Sequence, residues 1–332
     1  MTGCLLLNKN PGISSFDSIL PVKKALGTGK VCHTGTLDSF AQGLLVVLTG
    51  WAVKLSPWFT GCDKQYRALI RFGEETDTLD PEGKVTASAP VPGREALEAA
   101  LPAFTGEIMQ APPAFSAIHI NGRRAHELAR AGVVPEMKKR PVTVHSLSLL
   151  SWDPPHAELE VRCSSGTYIR SLARDIALSL GSRSHLRSLQ RTKVGKFSLD
   201  KALSIPPAAG LASLPETSTP EETLPEAPIR AAIKPLSPEL FAQLGIPGIT
   251  VDEKTAGAVS HGGDLRFLDI PGIEHGTEGA KDAVFALFGP AFIERTPDQR
   301  LSFAALIECK NGSWKYGCVN PHAASGGVYA AD

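Results

Sequence analysis

A single acidic residue, Asp38, lies where a polar stretch of the chain changes into an apolar one. The stretch reads KVCHTGTLDSFAQG over residues 30–43, and the apolar run LLVVL follows it directly. An aspartate at such a position can act as a nucleophile or a general base, provided that a nearby arginine keeps it ionised. Aspartate also caps helices, so a helix that begins at Asp38 and runs into LLVVL is the structural alternative.

Aromatic and arginine side chains that could act with an aspartate occur in two short motifs. Tyr66 lies in QYR, and Tyr168 and Arg170 lie in GTYIR. A tyrosine ring can stack on a nucleic-acid base while a neighbouring guanidinium contacts phosphate. A half-buried core tyrosine is the alternative for both positions. His33 has two interpretations as well, an ordinary loop residue or a flat ring that stacks on RNA.

Charge is distributed unevenly along the 332 residues, although the formal net charge is zero. Residues 1–201 carry 25 Lys and Arg against 18 Asp and Glu, whereas residues 202–332 carry 9 against 16. Within the first part, residues 162–201 hold nine basic residues and only two acidic ones. Such a concentration suits a polyanion such as nucleic acid, and a solvated basic face is the alternative.

Composition and cysteine spacing narrow the class of protein. The chain is 42% hydrophobic and 20% charged, which is typical of a soluble globular protein with a core. No apolar run reaches the roughly 20 residues of a membrane helix, and Lys9 and Pro11 interrupt CLLL, so no signal peptide is expected. No C-x-x-C pair and no zinc-like Cys/His cluster occurs among the six cysteines. We therefore expect a cytoplasmic protein with reduced cysteines and no metal.

Hydrophobic periodicity indicates both strands and helices. DKQYRALIRFG (63–73) and HAELEVRCSS (156–165) alternate as strands do. YIRSLARDIALSLG (168–181) has helical spacing, with Gly181 placed as a C-cap. The two kinds of element follow no regular βαβ rhythm, so the pattern predicts an α+β fold rather than a doubly wound sheet.

A boundary divides the chain near residue 206. Residues 206–228 are dense in Pro, Glu, Ser, Thr and Ala and show no hydrophobic periodicity, which is typical of a linker. After it, the short stretches AVFALFG, SFAALIE and WKYGCVN predict a small β domain. We therefore expect a catalytic domain over 1–205, a linker over 206–233 and a C-terminal domain over 234–322.

The motifs, taken in order, resemble the TruB family of pseudouridine synthases, which isomerise one uridine in the T loop of tRNA. The resemblance rests on LLLNKNPGISSFDSI, KVCHTGTLDSFAQG, DKQYRALIRFGEETDTLDPEG, QAPPAFSAIHINGRRAHELARAG, CSSGTYIRSLARDIALSLG and SHLRSLQRTKVGKFSLDKAL. It implies a catalytic domain with a mixed, mostly antiparallel sheet and flanking helices, followed by a small PUA-like β domain. It also implies that residues 105–140 form an insertion that contacts RNA.

The resemblance assigns roles to individual residues. Asp38 matches the catalytic aspartate of the family, Tyr66 the tyrosine that packs on the target base, and Arg170 the arginine that pairs with the aspartate. It further implies substrate contacts for His33, Tyr168, Leu189, Lys9, Lys30, Arg187 and Arg191, with a structural part for Lys9 as well. The family uses no metal or organic cofactor.

Partners and alternatives follow from the same resemblance. It implies tRNA, bound through its T arm, as the partner of a monomer that needs neither a membrane nor an obligatory protein. The uridine would be the one at position 55, flipped out of the loop before reaction. A tRNA-folding chaperone with incidental catalysis is the alternative function. The sequence departs from the family at Ser39, where proline is usual, and this predicts a slacker loop. The acidic C-terminal domain is expected to make few phosphate contacts.

Overall fold

The computed structural model describes residues 1–116, 118–120, 122–130, 137–205, 226–271, 273, 283–290, 301–310 and 313–320. The insertion predicted over 105–140 and the linker predicted over 206–233 therefore lie partly outside the described residues. Among the described residues, no helix is both long and apolar enough to cross a bilayer. The same residues contain no group of three His, Cys, Asp or Glu side chains placed to hold a metal ion.

Ten of the described strands form one large sheet. Its strands are β1 (Gly3–Lys9), β2 (Val31–His33), β3 (Gln42–Thr49), β4 (Lys64–Phe72), β7 (Gly106–Gln110), β10 (Arg140–Asp153), β11 (His156–Cys163), β12 (Ser184–Val194), β13 (Phe197–Ser198) and β14 (Leu203–Ser204). The order is β14-β1-β3-β12-β4-β11-β10-β7, with β2 beside β3 and β13 beside β12. Among the described strand pairs of this sheet, only β1–β14 and β3–β12 are parallel.

Three smaller sheets accompany it. They comprise β5 (Glu74–Thr76) with β6 (Val85–Ser88), β8 (His119–Ile120) with β9 (Arg123–Arg124), and the C-terminal sheet of β15 (Gly248–Thr250), β16 (Val284–Pro290), β17 (Leu301–Lys310) and β18 (Ser313–Val319). The α-helices are α1 (Ser15–Ser18), α2 (Leu20–Leu26), α3 (Ser56–Thr60), α4 (Arg94–Ala100), α5 (Ala125–Arg130), α6 (Ile169–Ser179), α7 (Glu226–Ala232), α8 (Pro238–Gln243) and α9 (Glu253–Ser260). Short 3-10 turns lie at Gly50–Leu55, Leu101–Phe104, Leu199–Lys201 and Leu265–Phe267.

The predicted strands and helix are confirmed where one face is buried. β4 and β11 alternate between buried and accessible residues, as their sequences predict. α6 buries Ile169, Leu172 and Ile176 against this sheet, and Gly181 follows it with φ +64°. The large, mostly antiparallel sheet with helices packed on it confirms the α+β class.

β3 is buried on both of its faces, which explains its unbroken run of apolar residues. Leu45 and Val47 pack with α2 and α7 on one side. Leu44, Val46 and Leu48 pack on the other side with residues of the C-terminal unit, which comprises the described residues from 236 onward. The helix alternative for Asp38 is therefore wrong, because the run that follows it is a central strand.

The C-terminal unit shares a core with the large sheet. The rings of Phe241 and Phe303 stack with centroids 4.9 Å apart, and Trp51 of the first part lies 5.7 Å from Phe303. Cys4 and Lys234 exchange two backbone hydrogen bonds of 2.8 Å. The predicted linker differs at its end, because residues 226–232 form α7, whose Ile229 is buried against the first part.

Candidate active site

Asp38 lies in the loop that connects β2 to β3, at one end of the central strand. Ser15 fastens this loop from α1, since its hydroxyl donates to the Leu37 carbonyl at 2.9 Å and accepts from the Leu37 amide at 2.8 Å. The Ala41 amide donates to the Asp38 carbonyl at 3.2 Å. The loop therefore holds Asp38 through backbone contacts on both sides of it.

Lys9 fastens the loop from β1. Its ammonium donates to the carbonyls of Asn10 at 3.1 Å, Ser39 at 3.1 Å and Ala41 at 2.6 Å. Only 1% of Lys9 is exposed, and burial lowers its pKa to about 8. The prediction that Lys9 contacts substrate needs correction, since a side chain so buried cannot reach RNA. The hydrogen bonds fit its structural part, and the Ser39 carbonyl also accepts from the Gly12 amide at 2.8 Å, so the loop has two backbone-directed contacts at Ser39.

Arg191 of β12 fastens the same loop from the opposite side. Its guanidinium donates to the carbonyls of Gly35 at 3.0 Å, Thr36 at 3.3 Å and Leu44 at 2.7 Å. A Cβ at Gly43 would overlap the Arg191 backbone, so the strands approach each other closely at this point. Arg191 is 2% exposed. The prediction of a substrate contact is thus corrected for Arg191 as well, because all of its named donors point into the protein.

The Asp38 carboxylate pairs with the guanidinium of Arg170 along one edge. Arg170 Nη2 donates to Oδ1 at 3.0 Å, and Nε lies 2.9 Å from Oδ2. The side chain of Arg170 is 5% exposed, whereas that of Asp38 is 35% exposed. The arginine therefore holds the carboxylate from behind, and the carboxylate faces open space where a substrate atom can approach.

A second carboxylate, Asp80, holds Arg170 from the other side. Arg170 Nη1 lies 3.3 Å from Asp80 Oδ2 and donates to the Thr78 carbonyl at 2.8 Å. The Thr78 hydroxyl and the Glu82 amide donate to Asp80 Oδ1 at 2.5 Å and 3.1 Å. Asp80 is buried, so it orients the guanidinium and does not face the open space.

The charge state of Asp38 reflects opposing effects. Burial raises the pKa of Asp38 above its ordinary value, and the nearby Asp80 raises it further, while Arg170 and Lys9 lower it. A carboxylate with a raised pKa is a stronger base and nucleophile once ionised, and the guanidinium stabilises the ionised form. The arrangement suits a group that reacts as a carboxylate at neutral pH.

Tyr66 and Leu189 lie next to this site on adjacent strands. Both belong to the buried cluster that includes Leu37 and Ala41 of the Asp38 loop. They are 8% and 5% exposed in this structure. Burial raises the pKa of Tyr66, so its phenol stays protonated at neutral pH, although Arg191 opposes the shift. The structure therefore brings these two predicted site residues together with the loop that carries Asp38.

The other predicted site residues lie nearer the surface. His33 is half-buried on β2, its Nδ1 has no hydrogen-bond partner among the described residues, and burial lowers its pKa. Tyr168 is half-buried before α6, with the Arg140 guanidinium 5.2 Å from the centre of its ring. Lys30 and Arg187 are exposed. These four side chains are accessible enough to meet a ligand.

Asp80 is a site residue that the roles drawn from the sequence do not include. Its signal was present in TDTLD, residues 76–80, where Thr and Asp recur directly after a strand. In the structure the Thr76 hydroxyl donates to the Asp80 carbonyl at 2.8 Å and accepts a hydrogen bond from the Asp80 amide at 3.1 Å, which closes the turn. A run of side chains that bond their own backbone is typical of such turns.

The fold and the site together place one accessible carboxylate, held by a buried arginine, beside a mixed and mostly antiparallel sheet. The profile described as TruB family pseudouridylate synthase (N terminal domain) matches residues 23–169. The chain is 50% identical over 200 residues to tRNA pseudouridine synthase B of Borreliella burgdorferi (strain ZS7), covering 59% of this chain and 71% of that protein. It is 41% identical over 266 residues to the protein of the same name from Chromobacterium violaceum, covering 80% and 82%.

Solved structures share the architecture. A chain of a Cbf5-Nop10-Gar1 complex has a TM-score of 0.61 at 23% identity, covering 97% of this chain and 80% of that one. That likeness concerns the fold. The sequence relatives establish the class as a pseudouridine synthase, an isomerase that converts uridine to pseudouridine. The chain belongs to the TruB family of pseudouridylate synthases.

Proposed function

We propose that the protein isomerises the uridine at position 55 in the T loop of tRNA, after that uridine has been flipped out of the loop. The observation that supports this most directly is the Asp38–Arg170 pair, in which an accessible carboxylate is held by a buried guanidinium. The relatives named tRNA pseudouridine synthase B support tRNA as the substrate.

Asp38 begins the chemistry as an ionised carboxylate. It attacks the sugar carbon, attacks the ring, or removes a sugar proton, and each route ends with cleavage of the N-glycosidic bond. The freed base turns and forms a new bond from a ring carbon to the sugar carbon, and any bond that Asp38 made to the sugar or the ring breaks, or the sugar proton that it removed returns. The proton on that ring carbon leaves, and the nitrogen that was freed from the sugar gains one, so substrate and product contain the same atoms. Arg170 stabilises the carboxylate at the start of all three routes, so the pair serves each of them equally.

Tyr66 and Leu189 form the receiving surface for the flipped base. They lie in one buried cluster with the Asp38 loop, so a base packed on them would meet the carboxylate. Tyr66 enters the reaction as a neutral phenol, because burial raises its pKa. An aromatic ring and an apolar side chain can hold a base by stacking and apolar contact, whatever the charge on the base.

Several accessible side chains fit the remaining RNA. His33 has a lowered pKa, so an uncharged ring is available to fill the space that the flipped uridine leaves. Tyr168 offers a second ring, and the exposed Lys30 and Arg187 fit the phosphates. Flipping costs a few kcal/mol, which ring contacts of this kind offset.

The remaining parts of the chain complete the proposal. Residues 1–205 are the catalytic domain, with 105–140 as an RNA-contacting insertion, and residues 234–322 are a PUA-like domain. The described β15–β18 sheet with α8 and α9 supports a small β fold there, packed against the large sheet. The enzyme works in the cytoplasm as a monomer, without a cofactor or an obligatory protein partner.

Locating the product tests the proposed substrate. The protein is incubated with an unmodified tRNA transcript, and pseudouridine is tagged chemically and mapped by mass spectrometry. We expect one pseudouridine, at position 55, and none in a transcript that carries cytidine there. Pseudouridine at another position, or none at all with the intact protein, would contradict the proposal.

A further inference from the structure

Gln110, the last residue of β7, makes two hydrogen bonds to the backbone of Tyr168, the residue immediately before α6. Its amide nitrogen donates to the Tyr168 carbonyl at 3.1 Å, and its amide oxygen accepts from the Tyr168 amide at 2.8 Å. Gln110 is 1% exposed, so the amide that makes both bonds is itself buried. A side-chain amide that satisfies both backbone groups of one residue acts as a fixed clamp at that residue.

The clamp lies where α6 begins, two residues before Arg170. Tyr168 is the N-cap residue of α6, no side chain caps the helix at that point, and the Leu172 amide donates to the Tyr168 carbonyl at 3.0 Å. The Tyr168 carbonyl thus accepts from both Gln110 and the first turn of the helix. The position of that turn, and of Arg170 within it, therefore depends on Gln110.

The segment after Gln110 returns to the same helix twice. Arg174 Nη2 donates to the Ala111 carbonyl at 3.3 Å, and Arg170 Nη2 donates to the Phe115 carbonyl at 2.9 Å. The same Nη2 atom donates to Asp38. Residues 110–115 and α6 therefore form one connected unit that ends at the reacting carboxylate.

We propose that Gln110 is a positioning residue for the isomerisation, which acts by fixing Tyr168 and thereby the place of Arg170 against Asp38. The inference rests on the proposed role of the Asp38–Arg170 pair. It extends the site to β7, which is an edge strand of the large sheet and lies five strands away from β3. Gln110 itself touches neither Asp38 nor Arg170 by any hydrogen bond among the described residues, so its effect passes through the backbone of α6.

The test replaces Gln110 with Met, which keeps the length of the side chain and removes both hydrogen bonds. Gln110→Asn is the second variant, since asparagine keeps the side-chain amide but is one methylene shorter than glutamine. Ser184→Ala is the matched control, because the Ser184 hydroxyl donates to the Ala173 carbonyl of α6 at 2.9 Å and is equally buried. Each variant is compared with the wild type in single-turnover pseudouridine formation across pH, in tRNA affinity, and in amide hydrogen exchange over 166–174.

We expect Gln110→Met and Gln110→Asn to lower the single-turnover rate at least about tenfold, because small misplacements of catalytic groups are costly. Affinity for tRNA should stay within about threefold of wild type, since no phosphate contact is lost. The acid limb of the rate should move to higher pH, because a displaced Arg170 stabilises ionised Asp38 less, while Asp80 and Lys9 remain in place. Ser184→Ala should change neither the rate nor the acid limb.

Three results would overturn the inference: rates within about twofold of wild type, a fall in rate with an unmoved acid limb, or an equal fall in Ser184→Ala. If Gln110→Met does not fold, Gln110→Asn decides by the same criteria. Hydrogen exchange needs no substrate and separates the two claims. Faster exchange at Tyr168 in the Gln110 variants shows the clamp even if the wild type proves inactive on tRNA, and unchanged exchange contradicts it.

Discussion

Accessibility and charge at the reacting carboxylate are set by different neighbours. Asp38 keeps 35% of its side chain exposed because its partner, Arg170, approaches from the buried side. Asp80 and the Thr78 carbonyl hold the guanidinium in turn. A buried arginine between two carboxylates needs all of its donors satisfied, since an unpaired buried charge is costly. The result is one accessible carboxylate, Asp38, and one buried carboxylate, Asp80, on the same guanidinium.

We expect the single-turnover rate to depend on pH through the ionisation of Asp38. Asp38 must be ionised to act, and its pKa lies above the ordinary value because burial disfavours the charge. As the pH falls through that raised pKa, the single-turnover rate should fall by about tenfold per pH unit. The check is the rate measured from pH 4 upward, roughly in half-unit steps, on protein whose circular dichroism is unchanged. A rate that stays flat down to about pH 4 would contradict an ionised Asp38 as the reacting group.

Some site residues could be predicted from the sequence and others could not. The family resemblance pointed to Asp38, Tyr66 and Arg170, and the structure brings them together, but the separation of 132 positions between Asp38 and Arg170 hides that contact in the sequence. Lys9 was expected to contact substrate from its match to a family motif, and Arg191 because it belongs to the basic segment 162–201. Here each finds three backbone carbonyls inside the protein, and a count of basic residues cannot show that.

Two buried cations from outside the loop, Lys9 and Arg191, hold the loop between β2 and β3, which has no proline at position 39 to stiffen it. Lys9 and Arg191 together donate hydrogen bonds to backbone carbonyls on both sides of Asp38. Such contacts replace the stiffening that proline would give at Ser39. These contacts favour a loop that is held in place at Ser39, whereas the sequence predicts a slacker one.

We expect the protein to lose stability when one of these two buried cations is removed. Lys9→Met removes the hydrogen bonds to three carbonyls, of which that of Ser39 keeps the Gly12 amide as a donor, so it should lower the free energy of unfolding by about 1–3 kcal/mol. Lys30→Met is the control, because Lys30 is exposed and near the same loop in sequence. It should leave stability unchanged and weaken tRNA binding, with a salt dependence smaller by about one charge.

Urea unfolding and tRNA binding at several salt concentrations, measured on both variants, decide between these roles. The opposite pattern, in which Lys9→Met unfolds like wild type and loses its salt dependence, would show that Lys9 meets phosphate after all.

Elements buried on one face were predictable, and those buried on two faces were not. β4, β11 and α6 each leave one side accessible, so their apolar residues repeat with the period of the element. β3 is covered on both sides, and its sequence LLVVL carries no period. α7 lies at the end of a Pro- and Glu-rich stretch, where composition outweighs the short apolar pattern around Ile229.

At the scale of the whole molecule, the C-terminal unit is part of the core that supports β3. Its Phe241, Phe288 and Phe303 pack in one cluster with Leu44 and Val46 of the central strand. Deleting the unit would uncover that face, so a truncated chain cannot report on RNA binding alone. The expectation that this acidic unit makes few phosphate contacts is better tested by substitutions on its surface.

A core substitution in the C-terminal unit tests the shared core. Phe241→Ala should lower the free energy of unfolding by about 3–5 kcal/mol, because a fully buried ring is lost. The loss should appear in one cooperative transition that includes the catalytic domain. Phe267→Ala is the matched control, since 82% of Phe267 is exposed, and it should unfold like wild type.

Calorimetry of the two variants gives the answer. Two separate transitions in Phe241→Ala, with the catalytic domain melting at its wild-type temperature, would contradict a common core.

The most direct test of the account is the single-turnover rate of Asp38→Asn at saturating enzyme, with tRNA affinity measured on the same protein. Asparagine keeps the size of the side chain and removes the charge that reacts. We expect pseudouridine formation to fall at least about a thousandfold, as for the loss of a reacting group, while tRNA binding stays within about threefold. Pseudouridine formation at the wild-type rate in Asp38→Asn would contradict the central claim that this carboxylate, held by Arg170, performs the chemistry.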